Sequence, residues 1–132
     1  MRRYSDKIFI GTMSGTSHDG IDICLLSIIN KKVELLKFDS FEYPTKLRKD
    51  ISDVIQDQKL SLNRYFDLNK RIGVAFAKSI NKFLAKNYID KNKILAIGLS
   101  GQTLFHAPKY KYPFSIQAGD PQIVSKECGL DV

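Results

Sequence analysis

Three short polar turns carry the side chains most able to do chemistry: residues 11–20, 98–103 and 118–121. Each of these turns follows or ends an apolar segment that reads as a strand or a buried stretch. Turns that adjoin neighbouring strands in this way can meet at one edge of a sheet. We therefore expect the three turns to lie close together at such an edge.

The first turn reads GTMSGTSHDG, a composition suited to holding an anion. Gly15 and Gly20 permit a positive φ, and consecutive backbone N–H groups can then form an anion-binding nest. Hydroxyl groups suited to phosphate oxygens are carried by Ser14, Thr16 and Ser17. Carboxylates that could hold Mg²⁺, directly or through water, are carried by Asp19 and Asp22. A polar hairpin turn explains the same residues, so both interpretations stand at this point.

Two better-known catalytic loops do not fit the first turn. The spacing of Gly15 and Gly20 is that of a phosphate-binding P-loop, but Ile21 stands where that loop needs a lysine. The turn also lacks a serine midway in a Gly-x-Ser-x-Gly arrangement, which excludes the nucleophile elbow of hydrolases.

The second and third turns offer a different set of polar groups. The second turn contains Ser100, Gly101, Gln102 and Thr103. Its hydroxyls and amide could bind the hydroxyl groups of a sugar, and the same residues also suit an ordinary turn. In the third turn, Asp120 followed by Pro121 fits a helix N-cap with proline at the first helical position. Capping alone explains Asp120.

The first elements that must position these turns are strands. Residues 7–13, 20–30 and 32–43 are apolar or alternate, and short turns join them, which predicts an antiparallel three-strand meander. Apolar residues then recur at helical spacing, first from about Pro44 and again from Ser61 to near Asn87. Ser61 is the candidate N-cap of the longer helix.

The later part of the chain predicts a strand over residues 93–101 and two extended segments before residue 120. A short helix over Pro121–Cys128 would end at Gly129, because glycine favours the helix C-terminus. The sequence of residues 130–132 predicts the beginning of a further strand. A meander followed by a helical crossover to another strand indicates an α/β fold.

Composition limits the class of protein. The 132 residues, with 43% hydrophobic and 27% charged, fit one globular domain, and no apolar run approaches the roughly 20 residues of a membrane span. The net charge of +7 comes with scattered lysines and no nucleic-acid-binding motif, so we expect no nucleic acid partner. Two cysteines without metal-like spacing favour a reducing compartment, and we expect a cytoplasmic protein without a membrane anchor.

Three stretches, taken in order, resemble the anhydro-N-acetylmuramic acid kinases: IGTMSGTSHDGIDICL, AIGLSGQTLFHAP and PFSIQAGDPQIVSKECGLDV. These kinases belong to the sugar kinase/Hsp70/actin superfamily, in which two domains close on ATP. The resemblance implies a ribonuclease-H-like N-terminal domain. It also implies ATP- and Mg²⁺-dependent conversion of 1,6-anhydro-N-acetylmuramic acid to N-acetylmuramic acid 6-phosphate, in peptidoglycan recycling.

The resemblance also implies roles for individual residues. The ATP phosphates would contact Gly15, Thr16, Ser17, His18, Asp19, Gly20, Ile21 and Asp22, with Asp19 and Asp22 toward the metal. The sugar side would involve Ser14, Ser100, Gly101, Gln102 and Thr103. Leu99 and Ser100 depart from the serine and histidine that the family carries in its second motif.

The resemblance covers nearly the whole chain but only the first part of the family's length. The family's general base is an aspartate just past the strand that residues 131–132 would begin. We therefore expect residues 1–132 to form an incomplete N-terminal kinase domain, inactive alone, without the C-terminal domain. A separately encoded C-terminal half or a homodimer would complete it; the alternative is a non-catalytic remnant or a module that binds phosphate or sugar.

Overall fold

Alternating burial along the second strand shows how the sheet is built. In the computed structural model, which describes residues 7–132, Ile21, Ile23 and Leu25 are buried while the residues between them face the other side. Buried aliphatic residues at a spacing of two, two of them β-branched, fit a pleated strand with one face on a core.

Four strands form the main sheet: β1 (Lys7–Met13), β2 (Gly20–Ile29), β3 (Lys32–Glu42) and β4 (Ile94–Gly98). Their order is β3-β2-β1-β4. β2 pairs antiparallel with both β1 and β3, so the predicted meander is confirmed. β4 pairs with β1 in parallel, which requires a crossover connection.

Two helices supply that crossover: α1 (Thr45–Asp57) and α2 (Leu62–Lys86), followed by a single 3₁₀ turn at Lys91–Lys93. The predicted N-cap of α2 is confirmed, because the Ser61 hydroxyl accepts a hydrogen bond from the Arg64 N–H at 3.2 Å.

A short hairpin and a third helix complete the fold: β5 (Gln102–Ala107), β6 (Phe114–Ala118) and α3 (Pro121–Cys128). β5 and β6 pair antiparallel. The predicted limits of α3 are confirmed: the Asp120 side chain accepts from the Gln122 N–H at 2.9 Å, and Gly129 ends the helix with a φ of 67°.

The core lies between the main sheet and the helices. On the sheet it is formed by buried residues of one face, such as Ile10, Ile21 and Ile97. Its helical side is the predicted apolar stripe of α2, of which Leu68, Ile72, Ala75, Phe76, Ile80, Phe83 and Leu84 are buried. The fold is thus α/β, with a mixed four-stranded sheet as expected of a sugar kinase/actin-like N-terminal domain.

Residues 130–132 were expected to begin another strand. They form no regular strand, but the Ile97 N–H donates to the Asp131 carbonyl at 2.8 Å, which places Asp131 beside β4 at the end of the sheet order. None of the helices between residues 7 and 132 combines the length and apolarity needed to cross a membrane.

Candidate functional site

The first and second turns meet at one end of the main sheet. Ser14 and Gln102 form a parallel bridge that joins β1 to the β5–β6 hairpin. The Thr12 hydroxyl donates to the Gly98 carbonyl at 3.0 Å and accepts from the Ser100 N–H at 3.3 Å. These contacts hold the two turns side by side, although the bonded residues are 86 and 88 positions apart in the chain.

A buried polar cluster of Ser14, Tyr43 and Gln102 locks this junction. Ser14 Oγ lies 2.5 Å from Gln102 Oε1, and the Tyr43 hydroxyl donates to Ser14 Oγ at 3.0 Å, with Gln102 Oε1 at 3.3 Å. The Gln102 Nε2 group donates to the Gly15 and Thr103 carbonyls, each at 3.1 Å. Gln102 is fully buried, so its amide is occupied on both sides by protein groups.

The electrostatics of the cluster favour its neutral form. Burial raises the pKa of Tyr43 to about 12, against a smaller opposing effect of the hydrogen bond with Ser14. Within the described part of the chain, every buried side-chain nitrogen or oxygen has a hydrogen-bond partner. A fully satisfied buried network of this kind fixes local geometry.

The backbone of the first turn differs from the expectation in one respect. Gly15 and Gly20 were expected to supply positive φ, but neither adopts it; His18 does, at 44°. The His18 N–H closes the turn on the Gly15 carbonyl at 3.0 Å, and its ring Nδ1 lies 3.1 Å from the Thr16 carbonyl. Histidine is among the residues that tolerate this conformation.

Position 20 requires glycine because there is no room for a side chain, and not because the backbone has a positive φ. A Cβ at this position would lie 2.5 Å from the Phe41 carbonyl oxygen on the neighbouring strand β3. Gly15 has open surroundings by comparison, since its Cβ would meet only Ser17 Oγ at 3.8 Å. Gly20 therefore brings β2 and β3 close together where the turn ends.

The structure divides the expected phosphate-contacting residues by exposure. Gly15, Thr16, Ser17 and Asp19 are exposed, and His18 is half-buried, so these groups form an open polar tip beside the locked junction. Ile21 is completely buried in the core. Its side chain is therefore unavailable to any ligand.

The two carboxylates of the first turn have separate partners. Asp19 Oδ1 lies 2.5 Å from Arg48 Nη2 of α1, and both side chains are largely exposed. Asp22 is exposed on β2 and accepts a hydrogen bond from the Ser40 hydroxyl of β3. Residues 7–132 contain no group of three or more metal-ligating acids, histidines or cysteines.

The second and third turns line an open cavity of about 310 Å³. Its lining is formed by Leu99, Ser100, Gly101, Gln117, Ala118, Gly119, Pro121 and Val132. Gly101 has a φ of 66°, and a Cβ there would lie 2.8 Å from the Ala118 carbonyl oxygen. Close backbone approach thus joins the second turn to the third, as the sequence predicted for the three turns together.

Sequence reasoning missed two residues of this region. Tyr43 lies between β3 and Pro44, the N-cap residue of α1, and Arg48 lies one turn into that helix. A tyrosine between a strand and Pro44 carries no motif by itself, because its partners Ser14 and Gln102 are 29 and 59 residues away. Only the fold brings these groups together.

Comparison with known proteins shows the family to which this chain belongs. The family model described as anhydro-N-acetylmuramic acid kinase matches residues 7–132. This chain is a member of the anhydro-N-acetylmuramic acid kinase family. A relative of that name from Gamma-proteobacterium EBAC31A08 is 45% identical over 126 residues, which cover 96% of this chain and 34% of the relative.

Two other kinases of the family match to a similar extent. The one from Sulfurimonas denitrificans is 39% identical, covering 96% of this chain and 34% of the relative. The one from Shewanella amazonensis is 38% identical, covering 97% and 35%. The chain therefore spans about a third of the length of the family members it matches, and the match is to their N-terminal part.

Proposed function

We propose that this chain provides the phosphate-holding and sugar-facing part of an ATP-dependent kinase that acts on 1,6-anhydro-N-acetylmuramic acid and yields N-acetylmuramic acid 6-phosphate. The observation that carries the proposal is the buried cluster of Ser14, Tyr43 and Gln102, which fixes the first turn against the second. Phosphoryl transfer depends mainly on positioning and charge stabilisation, so a rigid junction between two binding turns suits it.

In this proposal the tip of the first turn receives the ATP phosphates. The exposed hydroxyls of Thr16 and Ser17 and backbone N–H groups of the turn other than that of His18, which already donates to the Gly15 carbonyl, donate hydrogen bonds to phosphate oxygens. Ser14 and Gln102 act behind the tip, since their polar groups already bind each other and the Gly15 carbonyl. Their part is to hold the turn in place.

The carboxylates fit a magnesium ion that arrives with ATP. Mg²⁺ in such sites keeps several waters and needs only one or two protein carboxylates besides the phosphates, where it neutralises negative charge. Asp22, whose carboxylate is exposed, would supply one of these ligands. Asp19 would supply another, in competition with its ion pair to Arg48.

The sugar would lie at the second turn. Ser100 and Gly101 line the cavity of about 310 Å³, and Thr103 lies half-buried at the start of β5. Leu99, which also lines the cavity, adds an apolar wall where the family's motif has a serine. The proposal places the general base and the adenosine-binding part in the two thirds of the relatives that this chain does not match, and the activity in cytoplasmic peptidoglycan recycling.

A phosphoryl-transfer assay tests this function. The chain is incubated with ATP, Mg²⁺ and the anhydro-sugar, both alone and fused at Val132 to the remaining part of the gamma-proteobacterial relative, and the sugar phosphate is measured by mass spectrometry. We expect no product above the blank from the chain alone and turnover from the fusion.

A matched variant makes the assay specific to the first turn. Replacing Thr16 and Ser17 with alanine in the fusion removes two donors and is expected to lower kcat at least about 10-fold. If the chain alone formed product at the rate of the fusion, this would contradict the proposal that catalysis requires the part of the relatives that this chain does not match. A folded fusion that binds neither ATP nor the sugar would contradict the function itself.

A further inference from the structure

Arg48 is a charged residue beside the first turn to which the proposed function gives no role of its own. It lies one turn into α1, and its Nη2 group donates to Asp19 Oδ1 at 2.5 Å, which brings a guanidinium onto the exposed tip of the turn. Position 21, where a P-loop carries its phosphate-binding lysine, is the buried Ile21. A cationic side chain that binds phosphate at this turn therefore has to come from another part of the fold.

The fold holds the backbone of Arg48 beside the first turn. Tyr43, which precedes the N-cap residue of α1, donates to Ser14 Oγ at 3.0 Å inside the buried cluster. Leu47, the neighbour of Arg48 on α1, is buried in the core. The start of α1 is thus tied both to the first turn and to the core, so only the side chain of Arg48 has to move to reach a ligand bound at the turn.

The ion pair of Arg48 with Asp19 is easy to exchange. Its two side chains are 51% and 68% exposed, and exposed pairs of this kind contribute little to stability. The pair uses one of the five N–H donors that a guanidinium carries. A guanidinium also matches phosphate oxygens, which it can bind through two parallel hydrogen bonds. A triphosphate that reaches the turn can therefore replace Asp19 as the partner of Arg48.

We propose that Arg48 is a phosphate ligand of the first turn and that it changes partner when nucleotide binds. The guanidinium moves from Asp19 to a phosphate oxygen, and the released carboxylate faces the Mg²⁺ that accompanies ATP. Both charges stay compensated in this exchange. The inference rests on the proposed function, since it assumes that the first turn holds the phosphates. In the competing role, Arg48 does no more than hold Asp19 in place.

Binding of inorganic tripolyphosphate without Mg²⁺, measured by calorimetry on the chain, separates the two roles. Arg48→Gln removes the proposed ligand and is expected to raise Kd at least about 10-fold. Asp19→Asn removes the carboxylate that competes for Arg48 and is expected to lower Kd at least about 3-fold. If Arg48 only held Asp19 in place, the two substitutions would break the same contact and change Kd in the same direction.

A second ion pair on the same helix supplies the matched controls. Lys49 Nζ lies 3.1 Å from Asp53 Oδ2, and this pair is also exposed. Lys49→Gln and Asp53→Asn therefore make the same charge changes without touching the first turn, and each is expected to change Kd less than about 2-fold in 0.15 M salt. With Mg·ATP in place of tripolyphosphate, Asp19→Asn should raise Kd, because the released carboxylate then faces the metal.

Three results would overturn the exchange. The first is a similar rise in the Kd for tripolyphosphate in Arg48→Gln and Asp19→Asn, which would assign Arg48 to holding Asp19. The second is an effect of Arg48→Gln no larger than that of Lys49→Gln, and the third is a Kd for Mg·ATP that Asp19→Asn leaves unchanged. Each of these leaves the proposed function standing while the parent chain binds tripolyphosphate. A folded parent chain and a folded fusion that bind none would contradict both the function and the exchange.

Discussion

Replacing Gln102 with alanine is expected to lower the free energy of unfolding by about 2–4 kcal/mol. The side chain is fully buried, accepts hydroxyl hydrogen bonds from Ser14 and Tyr43, and donates to the Gly15 and Thr103 carbonyls. Truncation leaves a cavity and removes the partner of several enclosed polar groups. Urea unfolding followed by circular dichroism measures the change.

Gln117→Ala is the matched control for this substitution. Gln117 lies on β6 next to Ala118, the residue paired with Gln102, and its side chain is exposed. Exposed substitutions of this kind usually change stability by less than about 0.5 kcal/mol. Equal effects of Gln102→Ala and Gln117→Ala would show that the buried cluster does not hold the turns together.

Raising the pH from 10 to 12 is expected to remove about 2–3 kcal/mol of stability through Tyr43 alone. Burial raises the pKa of this phenol from 10.0 to about 12, so the folded state keeps its proton where the unfolded state loses it. The contribution is complete below pH 10 and is lost as the pH rises through the folded value. Urea unfolding at closely spaced alkaline pH values measures this loss.

Tyr43→Phe isolates this contribution from the other groups that titrate at alkaline pH. The variant lacks the hydroxyl that donates to Ser14, so it should be about 1 kcal/mol less stable near neutral pH. Between pH 10 and 12 its stability should fall less steeply than that of the parent chain. Parallel curves for the two proteins would contradict the burial of a neutral Tyr43 in the cluster.

Local signals in the sequence predicted most of the fold. Helix limits at Ser61, Asp120 and Gly129 were foreseeable because capping depends on neighbours within a few residues. The meander was foreseeable because short turns leave consecutive strands few other ways to pair. The meeting of the three polar turns also followed from their positions at strand ends.

Features that depend on distant parts of the chain were not foreseeable. The periodicity of β3 placed Val33, Leu35 and Phe38 on one side but could not show that this side faces solvent. The sequence suggested that Gly20 is a glycine because it permits a positive φ. The structure shows instead that a side chain at this position would collide with the Phe41 carbonyl on the neighbouring strand. The sequence also suggested that the Gln102 side chain could contact a sugar, whereas in the structure this side chain is fully buried.

The most direct test of the proposed site is an NMR titration of the ¹⁵N-labelled chain with Mg·ATP and, separately, with inorganic tripolyphosphate and the anhydro-sugar. We predict saturable shifts of the backbone amides of residues 15–20 with both phosphate ligands, and of residues 99–103 with the sugar. Phosphate-induced shifts that bypass residues 15–20, spread over the lysine-rich helix surfaces and disappear with added salt would contradict the assignment of the first turn as the phosphate-holding site.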